Sequence, residues 1–178
     1  MKLKKLYFNS LIFSFLTLSL MSVKAADNLF FEGNLVKEPC TVLSDNKTLT
    51  VKFNTVDVKA LRDGQKTEGI PFIITVSNCD NSVAKNINFL FKGFESDSHK
   101  GYLGININGK PSGIGIGIED KNKKFIAINK DNSQFSLNKN ENQFLFNAFL
   151  KAEPSVVVSK KIELGKFSST ATFHITYP

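Results

Sequence analysis

Apolar residues along most of this chain recur at every second position, in short runs bounded by Gly, Asn, Asp and Ser. A period of two places those side chains on one face of an extended strand and the intervening polar ones on the other, the mark of half-buried antiparallel sheet. The pattern predicts strands over residues 49–53, 71–77, 87–92, 103–107, 114–118, 125–128, 143–152 and 166–177. No long amphipathic helix is visible. The Gly-, Asn- and Lys-rich stretches 106–113 and 129–142 read as surface loops or hairpin turns. With 178 residues, 42% of them hydrophobic, the chain has the material for one packed domain. It is too apolar for disorder, and its apolar residues are too dispersed for a multi-span membrane protein. Short strands at this spacing predict an all-β sandwich.

A formal charge of +7 invites a nucleic-acid reading until its location is considered. Lys2, Lys4 and Lys5 precede an apolar run from Leu6 to Val23, and Val23-Lys24-Ala25 ends it. That is the layout of a secretory signal peptide over residues 1–25, with cleavage after Ala25 or Ala26. An uncleaved anchor is disfavoured by the interruption at Asn9 and Ser10. Removing the segment takes away four lysines and no acid, lowering the charge from +7 to +3. The remaining lysines lie among acids and amides in turn-like stretches such as 120–124, which excludes nucleic acid as the expected partner. Export places Cys40 and Cys79 in an oxidising compartment, where they most simply form one disulfide. At 39 positions apart, the loop they close would add about 4 kcal/mol of stability on a chain-entropy estimate. The alternative is two separate thiols. A metal site has only His99 and His174 to draw on, and none is expected.

The run 113–118, alternating Gly and Ile, lacks the spacing and the following helix of a phosphate loop. It reads instead as a strand with one apolar face, its glycines leaving room for a bulky ring or another backbone. The two histidines lie far apart in sequence, and no nucleophile or zinc motif is present, so neither an enzyme nor a cofactor is expected. His174 falls on the polar parity of its strand and is expected to be solvated.

The two ends carry most of the information. Phe167, Ser169, Ala171, Phe173, Ile175 and Tyr177 share one parity of the last predicted strand, which ends at Pro178 with no later strand to cover its edge. A long apolar edge is a site of aggregation unless something pairs with it. Near the other end, Asp27, Leu29, Phe31, Gly33 and Leu35 share one parity of a further candidate strand. Burying Leu29, Phe31 and Leu35 in a groove would contribute on the order of 5 to 9 kcal/mol. By periodicity alone, that segment could equally pair within its own sheet.

The segment 26–40 resembles the mature start of minor pilins of chaperone-usher fimbriae, especially the tip-fibrillum and adaptor subunits of P-type pili. Gly165, fourteenth from the end, and the penultimate Tyr177 resemble the C-terminal pilin motif. Pro71-Phe72 leading to Asn78-Cys79, then 89–93, 113–118 and 167–177 resemble family blocks in family order.

The resemblance implies an incomplete immunoglobulin-like β-sandwich lacking its last strand, which a donor strand completes. It divides the chain into a signal peptide (1–25), an N-terminal donor-strand extension (26–38) and a pilin domain (39–178). A periplasmic pilus chaperone would lend a strand beside Gly165, Phe167, Phe173, Ile175 and Tyr177 and grip the carboxylate of Pro178. At the outer-membrane usher, the extension of the neighbouring pilin subunit would replace it. Leu29, Phe31, Gly33 and Leu35 would be this chain's own donor residues, with Gly33 at a pocket where a side chain would clash. The implied function is a structural minor subunit, tip or adaptor, of a cell-surface fimbrium. A main rod subunit, a terminator or a free-standing secreted ligand-binding sandwich are the alternatives.

Overall fold

The computed structural model describes residues 32, 33, 35, 37–43, 48–130 and 133–178. The chain divides between Val36 and Lys37 into two units. Among the described residues the second unit holds β1 (Thr41–Val42), α1 (Val58–Arg62), β2 (Ile70–Cys79), β3 (Asn86–Gly93), β4 (Leu103–Ile107) and β5 (Lys110–Asp120). Then follow β6 (Phe125–Ile126), β7 (Ser133–Ser136), β8 (Asn140–Ala152), α2 (Pro154–Ser159) and β9 (Ala171–Thr176). One sheet runs β1-β2-β8-β5-β4, with β6 also on β5, and the other runs β7-β3-β9. All pairings are antiparallel.

Alternation decides which side chains meet between the sheets. Ile74 and Val76 of β2, Phe144 and Phe146 of β8, and Ile114, Ile116 and Ile118 of β5 are buried on one side. Ile87, Phe89 and Phe91 of β3 are buried opposite them. Phe89 meets Phe144 at 5.0 Å and Phe146 at 5.4 Å between ring centroids, and Phe91 meets Phe146 edge-on at 5.1 Å. Such edge and tilted contacts add to the area term for each ring. Cys40 and Cys79 are bonded, tying the residue before β1 to the last residue of β2.

Most predicted strands form, and β4 has the predicted bounds. The Ile-Gly run lies within β5, and its glycine face is covered: a side chain on Gly117 would collide with the rings of Phe149 and Tyr102. Four expectations need correction. Residues 49–53 form no strand, although Val51 and Phe53 still pack on the core. The last strand is shorter than 166–177, beginning only at Ala171 where pairing with Gly93 of β3 starts. The stretch 129–142, expected to be loop, contains β7 and the start of β8, because backbone pairing with β3 and β2 recruits residues with little apolar pattern of their own. The two-residue β1 and both helices were not expected. Each helix is a local event: the Asp57 side chain accepts from the Lys59 amide at 2.9 Å to start α1, while Pro154 occupies the first turn of α2.

Phe146 is fully buried between the sheets. Phe146→Ala is expected to lower stability by about 3–5 kcal/mol, measured by chemical unfolding of the folded subunit.

Candidate functional site

Beside the start of β9 a groove of about 1050 Å³ opens into the space between the sheets. One wall is the unpaired segment 48–58 and the other is the segment 162–171. Its floor is apolar, made by Ile107 of β4, Ile114 and Ile116 of β5, Leu150 of β8 and Leu61 of α1. The cap at Asp57 sets α1 at the end of the first wall and places Leu61, which is fully buried, on that floor.

The second wall continues into β9, whose neighbour on one side is β3; no strand pairs with its other edge among the described residues. Phe167, Ser169, Phe173, Ile175 and Tyr177 are half-buried in alternation with exposed neighbours, whereas Phe89 and Ile87 of β3 are wholly enclosed. The parity expected to face the core does so, but the core does not close over it. Ala171 is the exception and is exposed, as is Pro178. The rings of Phe53 and Phe167 bring the walls together, their centroids 6.0 Å apart. Gly165 has φ of +153°, and a Cβ there would come within 2.7 Å of Ile107 Cγ2, so glycine lets this wall lie down on the floor. Glu163 N–H donates to the Ser112 carbonyl at 3.0 Å, and Ser169 Oγ donates to the Gly104 carbonyl at 3.0 Å, holding the wall to the neighbouring strands. Burial, with the Glu38 carboxylate nearby, pushes the Tyr177 phenol above its ordinary range.

An apolar floor, alternating half-buried side chains and an unpaired strand edge suit an extended peptide. Nothing here resembles a catalytic pair: His174 is exposed on the outer parity of β9, and His99 lies in a loop that does not line the groove. No cluster of potential metal ligands occurs among the described residues. Of the expected donor residues, Gly33 and Leu35 are exposed and in no strand, while Leu29 and Phe31 lie outside the described residues, as does the segment expected to be a signal peptide. Sequence reasoning missed the first wall. Its signal was the alternation of Val51 and Phe53, which predicts a strand but does not say that the strand lacks a neighbour.

Residues 29–178 match the family of fimbrial proteins. Over 149 residues the chain is 26% identical to the putative minor fimbrial subunit PmfF of Proteus mirabilis, covering 83% of this chain and 82% of that protein. Over 163 residues it is 30% identical to the fimbrial adapter PapK of Escherichia coli, covering 85% and 88%. The crystal structure of the P pilus rod subunit PapA superposes with a TM-score of 0.68 at 20% identity, covering 79% of this chain and 100% of that one. This last likeness speaks for the fold, the immunoglobulin-like sandwich of pilins. The chain belongs to the fimbrial protein family: it is a pilin, a non-enzymatic structural subunit of a chaperone-usher pilus, exported to the cell-surface fimbrium, where it assembles with neighbouring subunits.

Proposed function

We propose that the groove receives a β-strand from another protein and that this chain is a minor pilin, a tip or adaptor subunit. The carrying observation is the half-burial of Phe173 and Ile175 on β9, a strand with one free edge among the described residues, and of Phe167 and Tyr177 in the extended chain on either side of it. A strand laid between residues 48–56 and β9 would find unpaired backbone on both sides. It would also cover apolar surface worth roughly 1.5–3 kcal/mol for each large side chain enclosed. In this reading residues 49–53 become the strand their alternation predicts once a neighbour exists.

The first donor is a periplasmic chaperone, which holds the edge until the subunit reaches the outer-membrane usher. The second is the N-terminal extension of the next subunit. This chain's own extension, residues 26–38 exposed after removal of 1–25, enters a neighbour through Leu29, Phe31, Gly33 and Leu35. Where Phe53 and Phe167 meet, the groove narrows, and the donor residue crossing that point has to be small. Durability of the polymer then rests on a high barrier to strand release rather than on covalent links. The resemblance to PapK, called an adapter, and to PmfF, called a minor subunit, supports a minor role. The rod role is the second reading, favoured by the shared fold with PapA.

Periplasmic expression with and without the cognate chaperone tests the incomplete fold: a soluble one-to-one complex is expected only with it, and a stable lone monomer would overturn the reading. Deleting residues 173–178 removes most of β9 and is expected to abolish co-purification with the chaperone. Gly33→Leu is expected to leave chaperone capture intact and slow insertion into the next subunit at least tenfold, followed by loss of chaperone over time. Immunogold labelling of assembled pili separates the roles, with label at the tip or a junction expected and label along the shaft pointing to a rod subunit.

A further inference from the structure

The loop 94–102, between β3 and β4, packs on the outer face of the six-stranded sheet, away from the groove. It fills the strip that the glycines of β5 leave empty: a Cβ on Gly115 would come within 2.9 Å of Tyr102 Cβ. The Tyr102 ring stacks on Phe125 at 4.7 Å and meets Phe149 edge-on at 6.1 Å. His99 stacks on Tyr102 in turn, at 3.7 Å and 25° between planes. A polar staple closes the loop. Ser96 Oγ donates to Glu153 Oε1 at 2.6 Å in a buried position, the His99 amide donates to Ser96 Oγ at 3.1 Å, and the Ser96 amide donates to the Tyr102 carbonyl at 2.9 Å.

His99 Nδ1 is buried and has no hydrogen-bond partner. A neutral imidazole tolerates this when Nδ1 is its unprotonated nitrogen. The imidazolium does not, because both nitrogens then carry N–H donors and one of them is shut away without an acceptor. The charges around the ring give little relief. Lys151 of β8 opposes a positive imidazole, while Glu153 favours it but is already engaged by Ser96. On the loop itself, Glu95 and Lys100 pair with each other at 3.4 Å, and beyond Phe149 the Lys66 ammonium is held by Glu119.

We propose that His99 is an acid-operated latch: when its imidazole takes up a proton, the loop 94–102 lifts from the glycine strip and uncovers the ring faces of Tyr102 and Phe149. Burial first, and Lys151 second, hold the docked imidazole below its ordinary range near 6.5. The undocked loop therefore binds the proton more readily. Docking is unaffected by pH well above 6.5, weakens as the pH falls through that value, and stops weakening once the docked imidazole itself is protonated. Over that window the opening equilibrium rises by at most about tenfold per pH unit.

Hydrogen exchange of the peptide spanning 94–102, in the full exported chain purified in its chaperone complex and corrected for the intrinsic pH dependence of exchange, measures the opening directly. Protection is expected to fall several-fold between pH 7 and pH 5.5 in the wild type. In His99→Phe, which keeps a stacking ring and loses the proton site, it is expected to stay constant. Equal protection at both pH values in the wild type, or the same fall in His99→Phe, would overturn the latch. A second readout needs no variant: NMR titration of labelled histidines is expected to place His99 below the ordinary range near 6.5, and titration of His99 at or above that value would overturn the proposal.

Discussion

Strand β8 is the constraint from which the rest of the sandwich follows. It is 13 residues long and pairs with β2 between Asn140 and Ala148 and with β5 between Phe146 and Ala152, so the larger sheet exists because β8 joins its two parts. Its inward parity also supplies Phe144 and Phe146, the rings that Phe89 and Phe91 meet from the opposite sheet. A single alternation thus sets the sheet order, the register and the contact between layers. Its outward parity is used too, since Phe149 lies over Gly117 of β5 and under the Lys66 ammonium, 4.4 Å from the ring centroid.

The smaller sheet has three strands against six, and the groove comes from that mismatch. Ile114, Ile116, Leu150 and Ile107 extend the apolar face of the large sheet beyond the reach of β7-β3-β9, and the segments 48–58 and 162–171 flank the uncovered part without bridging it. The rings of Phe53 and Phe167 approach across the gap. In an ordinary secreted domain such an edge would be charged, bulged or covered. Here its inward residues are Phe, Ile and Tyr, the composition of a buried strand. That composition is what the proposed strand from another chain would cover.

How much of this the residues announced depends on the range of the force involved. Strands with their own alternation, such as β4 and β5, were legible because each carries its burial pattern internally. β7 was not, since Ser133–Ser136 has one apolar residue, Phe135, and is a strand by virtue of pairing with β3. The helices α1 and α2 span 5 and 6 residues, too short for a period of 3.6 to show, and they owe their existence to a cap and a proline. Residues 49–53 are the instructive case: the alternation of Val51 and Phe53 predicts burial on one side, which the structure bears out, and a ladder, which requires a neighbour that local sequence cannot specify. Half of the site was legible for the same reason. The wall at Phe167, Phe173, Ile175 and Tyr177 repeats every second residue, whereas the floor is assembled from four distant elements.

The bond between Cys40 and Cys79 matters for more than the free energy of the isolated fold. Among the described residues β1 is short: Thr41 lies opposite Ser77 and Val42 opposite Val76, with the Leu43 amide donating to the Thr75 carbonyl and the Asp80 amide to the Pro39 carbonyl on either side. If the extension that precedes it is seated in a neighbour, any pull along the fibre enters the subunit close to Cys40, and so short a ladder would peel like the end of a zip. The disulfide routes that tension past β1 into Cys79 at the end of β2, a strand paired along most of its length with β8. Load then passes to the longer β2–β8 ladder, and the short β1 is spared from bearing it alone.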